Sequence, residues 1–284
     1  MIDWAAGAAT QWIKPDAPEA MVSRLQKSTR ETFTTREGVK VPMIVTRPAK
    51  CATEPCPVVV NFHDGPDAQA RVGFNPRAQV FASSGFVYVE PNVRGSRGAG
   101  RTSVSSDDGV KRLEVVSDFE DLSQYIKKNW AKNGQVPKIG ATGEGYGGYA
   151  TFLVMTRFAG SYDAGVAISG PSNLESFLKN GPPYESAIAI AEYGDPVKDR
   201  DALQKLSPIT YIKDVKAPLM IIQGVNDPRV PAGEAVQMHN ELKSRGIETS
   251  LILFPDEGHG ARKRDNQVLE LGHTLQFFQK NLLK

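Results

Sequence analysis

Two polar side chains, Asp227 and His259, each follow an apolar run with the length of a buried strand, in the loops GVNDPRVP and PDEGHG. An imidazole can take a proton from a nucleophile, and a carboxylate can hold that imidazole in the required tautomer. Parallel strands bring their carboxyl ends to one edge of a sheet, so the two side chains can meet there. The nucleophile itself has to come from a third position, earlier in the chain.

That third position lies in the stretch KIGATGEGYGGY, Lys138 to Tyr149. A short apolar run leads into four glycines and a second apolar run follows, which predicts a strand, a very tight turn and a helix. Such a turn lifts one side chain above the sheet edge and needs small residues two positions before and after its apex. Gly143 and Gly147 meet this requirement. An apex one residue earlier would put a tyrosine where a small residue is needed, so Gly145 stands in the nucleophile's place.

A mostly parallel sheet covered by helices on both faces is the arrangement that the apolar pattern predicts. Unbroken β-branched runs such as PVVVNF are typical of strands buried on both faces. A hairpin should precede them, with strands at 32–35 and 41–46 around Glu37 and Gly38. Irregular short helices are expected over 171–211. The other strands are predicted at 57–62, 86–90, 139–141, 164–169, 218–223 and 249–254, and the helices at 76–83, 115–130, 149–158, 232–245 and 266–283.

Composition favours an ordinary α/β protein. The chain has 284 residues, with 34 basic and 32 acidic side chains that are spread along it, which argues against a nucleic-acid partner. No apolar run approaches the roughly 20 residues of a membrane span, and residues 1–20 lack the pattern of a signal peptide. We expect one domain at 30–284 after a linker at 1–29, no membrane partner and a cytoplasmic location by default. The oligomeric state stays open.

The two cysteines, Cys51 and Cys56, are spaced C-x4-C before a predicted strand. Two thiols without a neighbouring histidine cluster cannot complete a structural zinc site, so no metal is expected. Two free thiols in a loop are favoured over a local disulfide.

Acyl transfer also requires hydrogen-bond donors for the oxyanion of its intermediate. The amide of Tyr146, next to the apex, is one candidate. The loop after an early strand should supply the second, which indicates His63-Asp64-Gly65-Pro66 and above all the amide of Gly65.

Five motifs in order resemble the catalytic domain of the prolyl oligopeptidase family of serine peptidases, over roughly residues 30–283. They are FHDGP, EPNVRGSRGAG, GEGYGGY, GVNDPRVP and DEGHG. The resemblance implies an α/β-hydrolase fold that cleaves short peptides, or esters in some relatives, through an acyl-enzyme without metal or cofactor. It gives Gly145 the place of the nucleophile, Asp227 that of the acid and His259 that of the base, and makes Tyr146 and Gly65 the oxyanion amides. It places the substrate side pocket near Pro171, Leu174, Phe177 and Val230.

Three departures from the family pattern matter. Gly145 removes the nucleophilic hydroxyl. Asp64 replaces a glycine beside the oxyanion loop and adds a negative charge, with its side chain directed either into the site or away from it. Family peptidases usually carry an N-terminal β-propeller, and here residues 3–12 are similar to its last strands, two short ones at 3–4 and 10–12.

The sequence leaves rival functions open. One is a serine hydrolase that lacks its nucleophile, predicted to be inactive in acyl-enzyme chemistry; another is a pseudoenzyme that binds peptides without cleaving them. A third is a hydrolase with a different nucleophile, either water activated by His259 or a serine such as Ser96 or Ser169, neither of which lies on a tight turn. A nucleotide-binding loop is disfavoured, because GEGYGG does not match the phosphate-loop spacings.

Four further polar residues have structural interpretations that are at least as good as functional ones. His239 and His273 lie on predicted helices. Arg94 either holds substrate or pairs with Glu90 or Asp118, and Glu144 either binds a substrate amine or faces solvent.

Overall fold

The computed structural model describes residues 1–13 and 22–283. The predicted linker at 1–29 is therefore covered only in part, and its residues 14–21 lie outside the described residues. None of the described helices is both long enough and apolar enough to cross a membrane.

An eight-stranded sheet forms the centre of the molecule. Its strands are β3 (Ser28–Thr34), β4 (Lys40–Thr46), β5 (Val58–Phe62), β6 (Val87–Pro91), β7 (Ile139–Glu144), β8 (Ala164–Ile168), β9 (Leu219–Gly224) and β10 (Thr249–Phe254). They lie in the order β10-β9-β8-β7-β5-β6-β4-β3. The pairs from β10 to β6 are parallel, and the β4 pairs are antiparallel. The predicted mostly parallel sheet and its edge hairpin are confirmed.

Helices cover both faces of this sheet. They are α1 (Pro76–Ser83), α2 (Arg101–Val104), α3 (Arg112–Val115), α4 (Asp118–Asn129), α5 (Tyr146–Met155), α6 (Leu174–Asn180), α7 (Pro183–Tyr193), α8 (Arg200–Leu206), α9 (Gly233–Ser244) and α10 (Arg264–Leu282). Successive valines of β5 pack into two different apolar clusters. Val58 and Val60 lie in the cluster with α4 and α5, whereas Val59 lies in the cluster with α1 and α10. This alternation explains the unbroken β-branched run.

The predicted helix at 115–130 begins later than expected. It starts at Asp118, after a separate short helix that ends at Val115. The carboxylate of Asp118 accepts from the amide and the guanidinium of Arg94, at 3.0 Å and 2.6 Å. Arg94 is therefore a structural ion-pair partner of Asp118, which was one of the two interpretations of this residue from the sequence.

The first residues form a small hairpin of their own. Strand β1 (Ile2–Asp3) pairs antiparallel with β2 (Ala8–Ala9), so the two expected strands exist but are displaced from 3–4 and 10–12. Trp4 and Trp12 lie outside these strands and are exposed.

The prediction of two free thiols was wrong, because Cys51 and Cys56 form a disulfide. A short 3-10 helix, Ala49–Ala52, turns the chain back on itself and brings the two Cα atoms to 5.5 Å, within the range that a disulfide spans. Spacing alone could not show this turn.

Candidate active site

The tight turn occurs between β7 and α5, with Gly145 at its apex. Gly145 has φ +60° and ψ −116°, a backbone conformation that favours glycine. The flanking glycines allow close approach, since a Cβ on Gly147 would lie 2.0 Å from the carbonyl oxygen of Phe62. The position that would carry a nucleophile thus projects from the carboxyl end of a central strand.

Asp227 and His259 meet at this same edge of the sheet. Nδ1 of His259 lies 2.9 Å from Oδ2 of Asp227, whose side chain has no exposed surface. The amides of Arg229 and Val230 donate to Oδ1 of Asp227 at 2.8 Å and 3.0 Å, and the side-chain amide of Gln223 donates to Oδ2 at 3.1 Å. The carboxylate is therefore fixed, and it orients the imidazole with Nε2 toward the apex.

Asp64 directs its carboxylate into the site. Oδ1 accepts a 2.9 Å hydrogen bond from the amide of Tyr146, and the amide of Gly65 lies near the same carboxylate and helps to lower its pKa. Oδ2 lies 3.7 Å from Nε2 of His259 and 3.8 Å from Nη1 of Arg229. Both amides predicted as oxyanion donors therefore act on the Asp64 carboxylate, the Tyr146 amide through a direct hydrogen bond.

The same carboxylate occupies the space that a nucleophile would need. A Cβ built on Gly145 would lie 2.1 Å from Oδ1 of Asp64 and 2.9 Å from Nε2 of His259. A side chain at position 145 and the observed conformation of Asp64 therefore exclude each other.

His259 lies between two carboxylates, and its charge follows from that position. Burial alone would lower its pKa, but the interactions with Asp227 and Asp64 outweigh burial and raise the pKa to about 9. Burial would raise the pKa of Asp64 and of Asp227, yet His259 and the donating amides hold both below their ordinary value. At neutral pH the three groups form a carboxylate–imidazolium–carboxylate arrangement.

This charge state predicts a loss of stability at high pH. Because the pKa of His259 is raised from 6.5 to about 9 in the folded chain, its stabilising effect is complete below pH 6.5 and is lost as the pH rises through about 9. The shift corresponds to about 3 kcal/mol in the free energy of unfolding. Urea unfolding across this pH range should show the decrease, and His259→Gln should remove most of it. If the free energy of unfolding of His259→Gln falls equally as the pH rises, the raised pKa of His259 is not the cause of the decrease.

A cavity of about 270 Å³ opens beside Gly145. Among the predicted pocket residues, Pro171, Phe177 and Val230 line it. Leu174 does not, which corrects that prediction: it lies in the first turn of α6 with its side chain in the apolar core and no exposed surface.

The sequence of this chain matches a known protein family. The sequence profile of the prolyl oligopeptidase family matches residues 72–284. The chain belongs to the prolyl oligopeptidase family. Its members are serine peptidases with an α/β-hydrolase fold, so the predicted family and fold are confirmed.

Two curated relatives from this family are similar to the chain. Dipeptidyl peptidase family member 6 of Caenorhabditis elegans is 34% identical over 235 residues, which cover 80% of this chain and 31% of that protein. Dipeptidyl aminopeptidase BIII of Pseudoxanthomonas mexicana is 34% identical over 221 residues, covering 76% and 32%. The chain therefore spans about a third of the length of these relatives.

A solved family structure shows the same fold. An acylaminoacyl peptidase of Pyrococcus horikoshii superposes with a TM-score of 0.82 at 24% identity, over 95% of this chain and 44% of that chain. The matched part is the unit that carries the strands and loops described above.

Within this prolyl oligopeptidase domain, sequence reasoning missed one wall of the cavity. Ile188, Ala189, Glu192 and Tyr193 of α7 line it, and so does Arg229 from the loop of Asp227. The α7 residues lie in the stretch 171–211, for which only irregular short helices were predicted. The apolar run before Glu192 indicates a helix but not the face that it turns toward the cleft.

A buried arginine, Arg112, supports that wall from behind. Its Nη2 donates to Oδ2 of Asp107 at 3.1 Å and also to a carboxylate oxygen of Glu192. The guanidinium carbon lies 4.6 Å from the ring centroid of Tyr193 and 5.3 Å from that of Tyr146. The charged plane thus connects α3 to two of the aromatic residues of the cavity wall, Tyr146 and Tyr193.

The alternative nucleophiles do not reach the centre. Oγ of Ser96 lies 2.7 Å from Nε2 of His63, an interaction that holds the loop before Asp64. Ser169 is buried at the end of β8, and its amide donates to the sheet at 2.9 Å. Neither serine lines the cavity beside Gly145.

The remaining polar candidates have structural surroundings. Glu144 lies 3.5 Å from the guanidinium of Arg262. His239 contacts Thr249 on the neighbouring strand at 3.3 Å, and His273 lies on the exposed face of α10.

A single group of three carboxylates within the described residues could hold a metal ion: Asp107, Asp108 and Glu192. Arg112 already donates to two of them, and its positive charge compensates the group. This composition does not favour a cation.

Proposed function

We propose that this chain is a prolyl oligopeptidase-type catalytic domain whose cleft binds short peptides without forming an acyl-enzyme. The main support for this proposal comes from the centre of the cleft. Gly145 has no hydroxyl there, and the carboxylate of Asp64 accepts a hydrogen bond from the amide of Tyr146 at 2.9 Å. The family performs peptide hydrolysis, and the relatives' names indicate dipeptidyl and acylaminoacyl peptidases. Peptides are therefore the class of ligand that the cleft should bind.

Three features oppose acyl transfer. There is no nucleophile on the turn. The Tyr146 amide, one of the two that would stabilise an oxyanion, already binds the Asp64 carboxylate, and this carboxylate places a negative charge where an acyl substrate would develop one. His259, with a pKa of about 9, is protonated at neutral pH and cannot act as a general base there.

The binding part of the site is retained. Phe177, Val230 and Tyr193 present apolar surface to the cavity, with Pro171 beside them. A volume of about 270 Å³ has room for one apolar side chain of a peptide. Peptides and esters would place their side chains in the same cavity, so both kinds of ligand should be tested together.

Peptide binding tests the proposal directly. We expect short peptides with an apolar residue to bind the chain in calorimetric titrations, with no covalent labelling by a fluorophosphonate. Phe177→Ala removes an aromatic wall and should weaken binding by about 1–2 kcal/mol, roughly 5- to 30-fold in Kd.

Phe74→Ala is the matched control, because Phe74 is exposed and lies outside the cavity wall. The peptide affinity of Phe74→Ala should equal that of the unchanged chain. Absence of binding across the panel by a folded protein, or equal losses in both variants, would overturn the proposal.

A further inference from the structure

Asp64 has the surroundings of a reactive group. Oδ1 of its carboxylate accepts the amide of Tyr146 at 2.9 Å, whereas Oδ2 lies 3.7 Å from Nε2 of His259 and 3.8 Å from Nη1 of Arg229, distances that are longer than hydrogen bonds. Asp64 also lines the cavity. The carboxylate is thus fixed at one end and accessible from the cleft at the other.

We propose that Asp64 is a carboxylate nucleophile that opens epoxides bearing an apolar substituent, with His259 as the acid and then the base. The reaction breaks a different kind of bond from the peptide bond, so this inference goes beyond the proposed function.

The filled oxyanion site explains why an sp3 carbon is the target. Attack on an acyl carbon would create an oxyanion on the substrate, and the amide of Tyr146 is already occupied by Asp64. Attack on an sp3 carbon instead places the developing negative charge on the departing oxygen of the epoxide. A strained ether also needs a proton for its leaving oxygen, and Nε2 of His259 lies 3.7 Å from the attacking oxygen.

The first step forms an ester on the protein. Oδ2 of Asp64 attacks one epoxide carbon, a new C–O bond forms and the strained C–O bond breaks with its electron pair on the departing oxygen. That oxygen takes the proton from Nε2 of His259. The products are a hydroxyalkyl ester of Asp64 and a neutral imidazole.

The second step needs only water. Neutral His259 takes a proton from a water molecule, whose oxygen adds to Cγ of Asp64, and the amides of Tyr146 and Gly65 are placed to hold the oxyanion that forms. Collapse releases the diol, whose alkoxide takes the proton back from His259. The carboxylic acid left on Asp64 returns its proton to His259, so epoxide and water give a vicinal diol.

The charges of the site agree with these two roles. Before attack, Asp64 contributes to raising the pKa of His259, so the imidazole is a cation that can donate a proton. Once Asp64 is an ester, its charge is gone and that contribution disappears. The imidazole can then stay neutral and act as a base. Oδ2 of Asp227, 2.9 Å from Nδ1 of His259, keeps the imidazole in the same tautomer.

The cavity selects the substituent. Phe177, Tyr193 and Val230 line a volume of about 270 Å³ next to Asp64. An aromatic ring can pack against the two aromatic side chains there. Styrene oxide combines such a ring with one epoxide and is therefore the probe.

Isotope labelling shows which atom attacks. The chain is incubated with styrene oxide in ¹⁸O-labelled water, and the diol and the peptide that contains Asp64 are analysed by mass spectrometry. We expect diol formation above the buffer rate, unlabelled diol in the first turnover and ¹⁸O in the carboxylate of Asp64. A first-turnover diol that carries the label would mean direct attack by water and would overturn the proposal.

Two variants separate the steps. His259→Gln removes the acid of the first step and the base of the second, so turnover should slow by about 10²- to 10⁴-fold, and the ester that forms slowly should persist and map to Asp64. Asp64→Ala should abolish both diol formation and labelling. Asp67→Asn is the matched control, since Asp67 is an exposed neighbour paired with Arg97, and it should behave as the unchanged chain.

The test does not depend on the folding of Asp64→Ala. The unchanged chain gives the isotope result, and His259→Gln gives the ester on Asp64. No diol above the buffer rate and no adduct on Asp64 in the folded protein would overturn the inference. No peptide enters the assay, so that failure leaves the proposed peptide binding intact.

Discussion

Gly145→Ser combined with Asp64→Gly is expected to gain acyl-transfer activity on the order of 10⁵- to 10⁶-fold over the present chain, whereas Gly145→Ser alone stays inactive. The single variant fails because the serine Cβ would lie 2.1 Å from Oδ1 of Asp64, so the two side chains compete for one space. The double variant removes this conflict and frees the amides of Tyr146 and Gly65 for an oxyanion. It also removes one of the two carboxylates that raise the pKa of His259.

Serine at position 145 also carries a backbone cost. The φ of +60° is unfavourable for any residue with a Cβ, and such strain is on the order of 1–3 kcal/mol. Nucleophiles on tight turns tolerate this strain because the surrounding strand and helix fix the turn. We therefore expect a lower melting temperature for both serine variants without loss of the fold.

Hydrolysis of a panel of aminoacyl and acyl chromogenic esters and amides measures the gain, and the preferred compounds show whether peptides or esters suit the cleft. Labelling by a fluorophosphonate should map to position 145 in the double variant only. Adding His259→Gln should abolish the activity. Full activity in Gly145→Ser alone would show that Asp64 does not obstruct the centre, and inert, folded variants throughout would contradict the serine-hydrolase origin of the site.

The sheet and the turn could be predicted because their signals are local. A buried parallel strand such as β5 needs an unbroken apolar run, and the turn at Gly145 needs glycines at fixed spacing. The order of position 145, Asp227 and His259 along the chain then determines which loops meet at the sheet edge. These features depend on neighbours within a few residues and on one topological rule.

The remaining features depend on side-chain direction and on contacts between distant segments. The direction of the Asp64 carboxylate is decided by the amide of Tyr146, 82 positions later in the chain, and by the empty space at Gly145. Leu174 was placed in the pocket although its helix turns it into the core. Arg112 reaches Glu192, 80 positions away, and no motif connects the two.

The two departures from the family pattern are physically coupled. Gly145 leaves open the space that the Asp64 carboxylate fills, and that carboxylate accepts the amide of Tyr146 and lies 3.7 Å from Nε2 of His259. Either change alone would leave an unfilled space or a steric conflict. Together they place an ionic group at the centre of the cleft and leave the turn intact.

Arg112→Met is expected to destabilise the fold by about 3–5 kcal/mol, because it leaves the buried carboxylate of Asp107 without its cation. Arg112 and Asp107 both have almost no exposed side-chain surface, and their contact of 3.1 Å is joined by Glu192 and by the rings of Tyr146 and Tyr193. Methionine fills a similar space but provides no donor. Part of the loss should return in Arg112→Met with Asp107→Asn, since the second change removes the unpaired charge.

Urea unfolding measures this effect, with Arg200→Met as the matched control. Arg200 is mostly exposed and lies 3.5 Å from Glu175, so its removal should cost no more than about 1 kcal/mol. Because Arg112 also supports two residues of the cavity wall, peptide affinity should fall in Arg112→Met and stay unchanged in Arg200→Met. If both variants unfold at the same urea concentration, the buried network does not hold the wall in place, and the shape of the cavity must depend on the apolar packing of α7 alone.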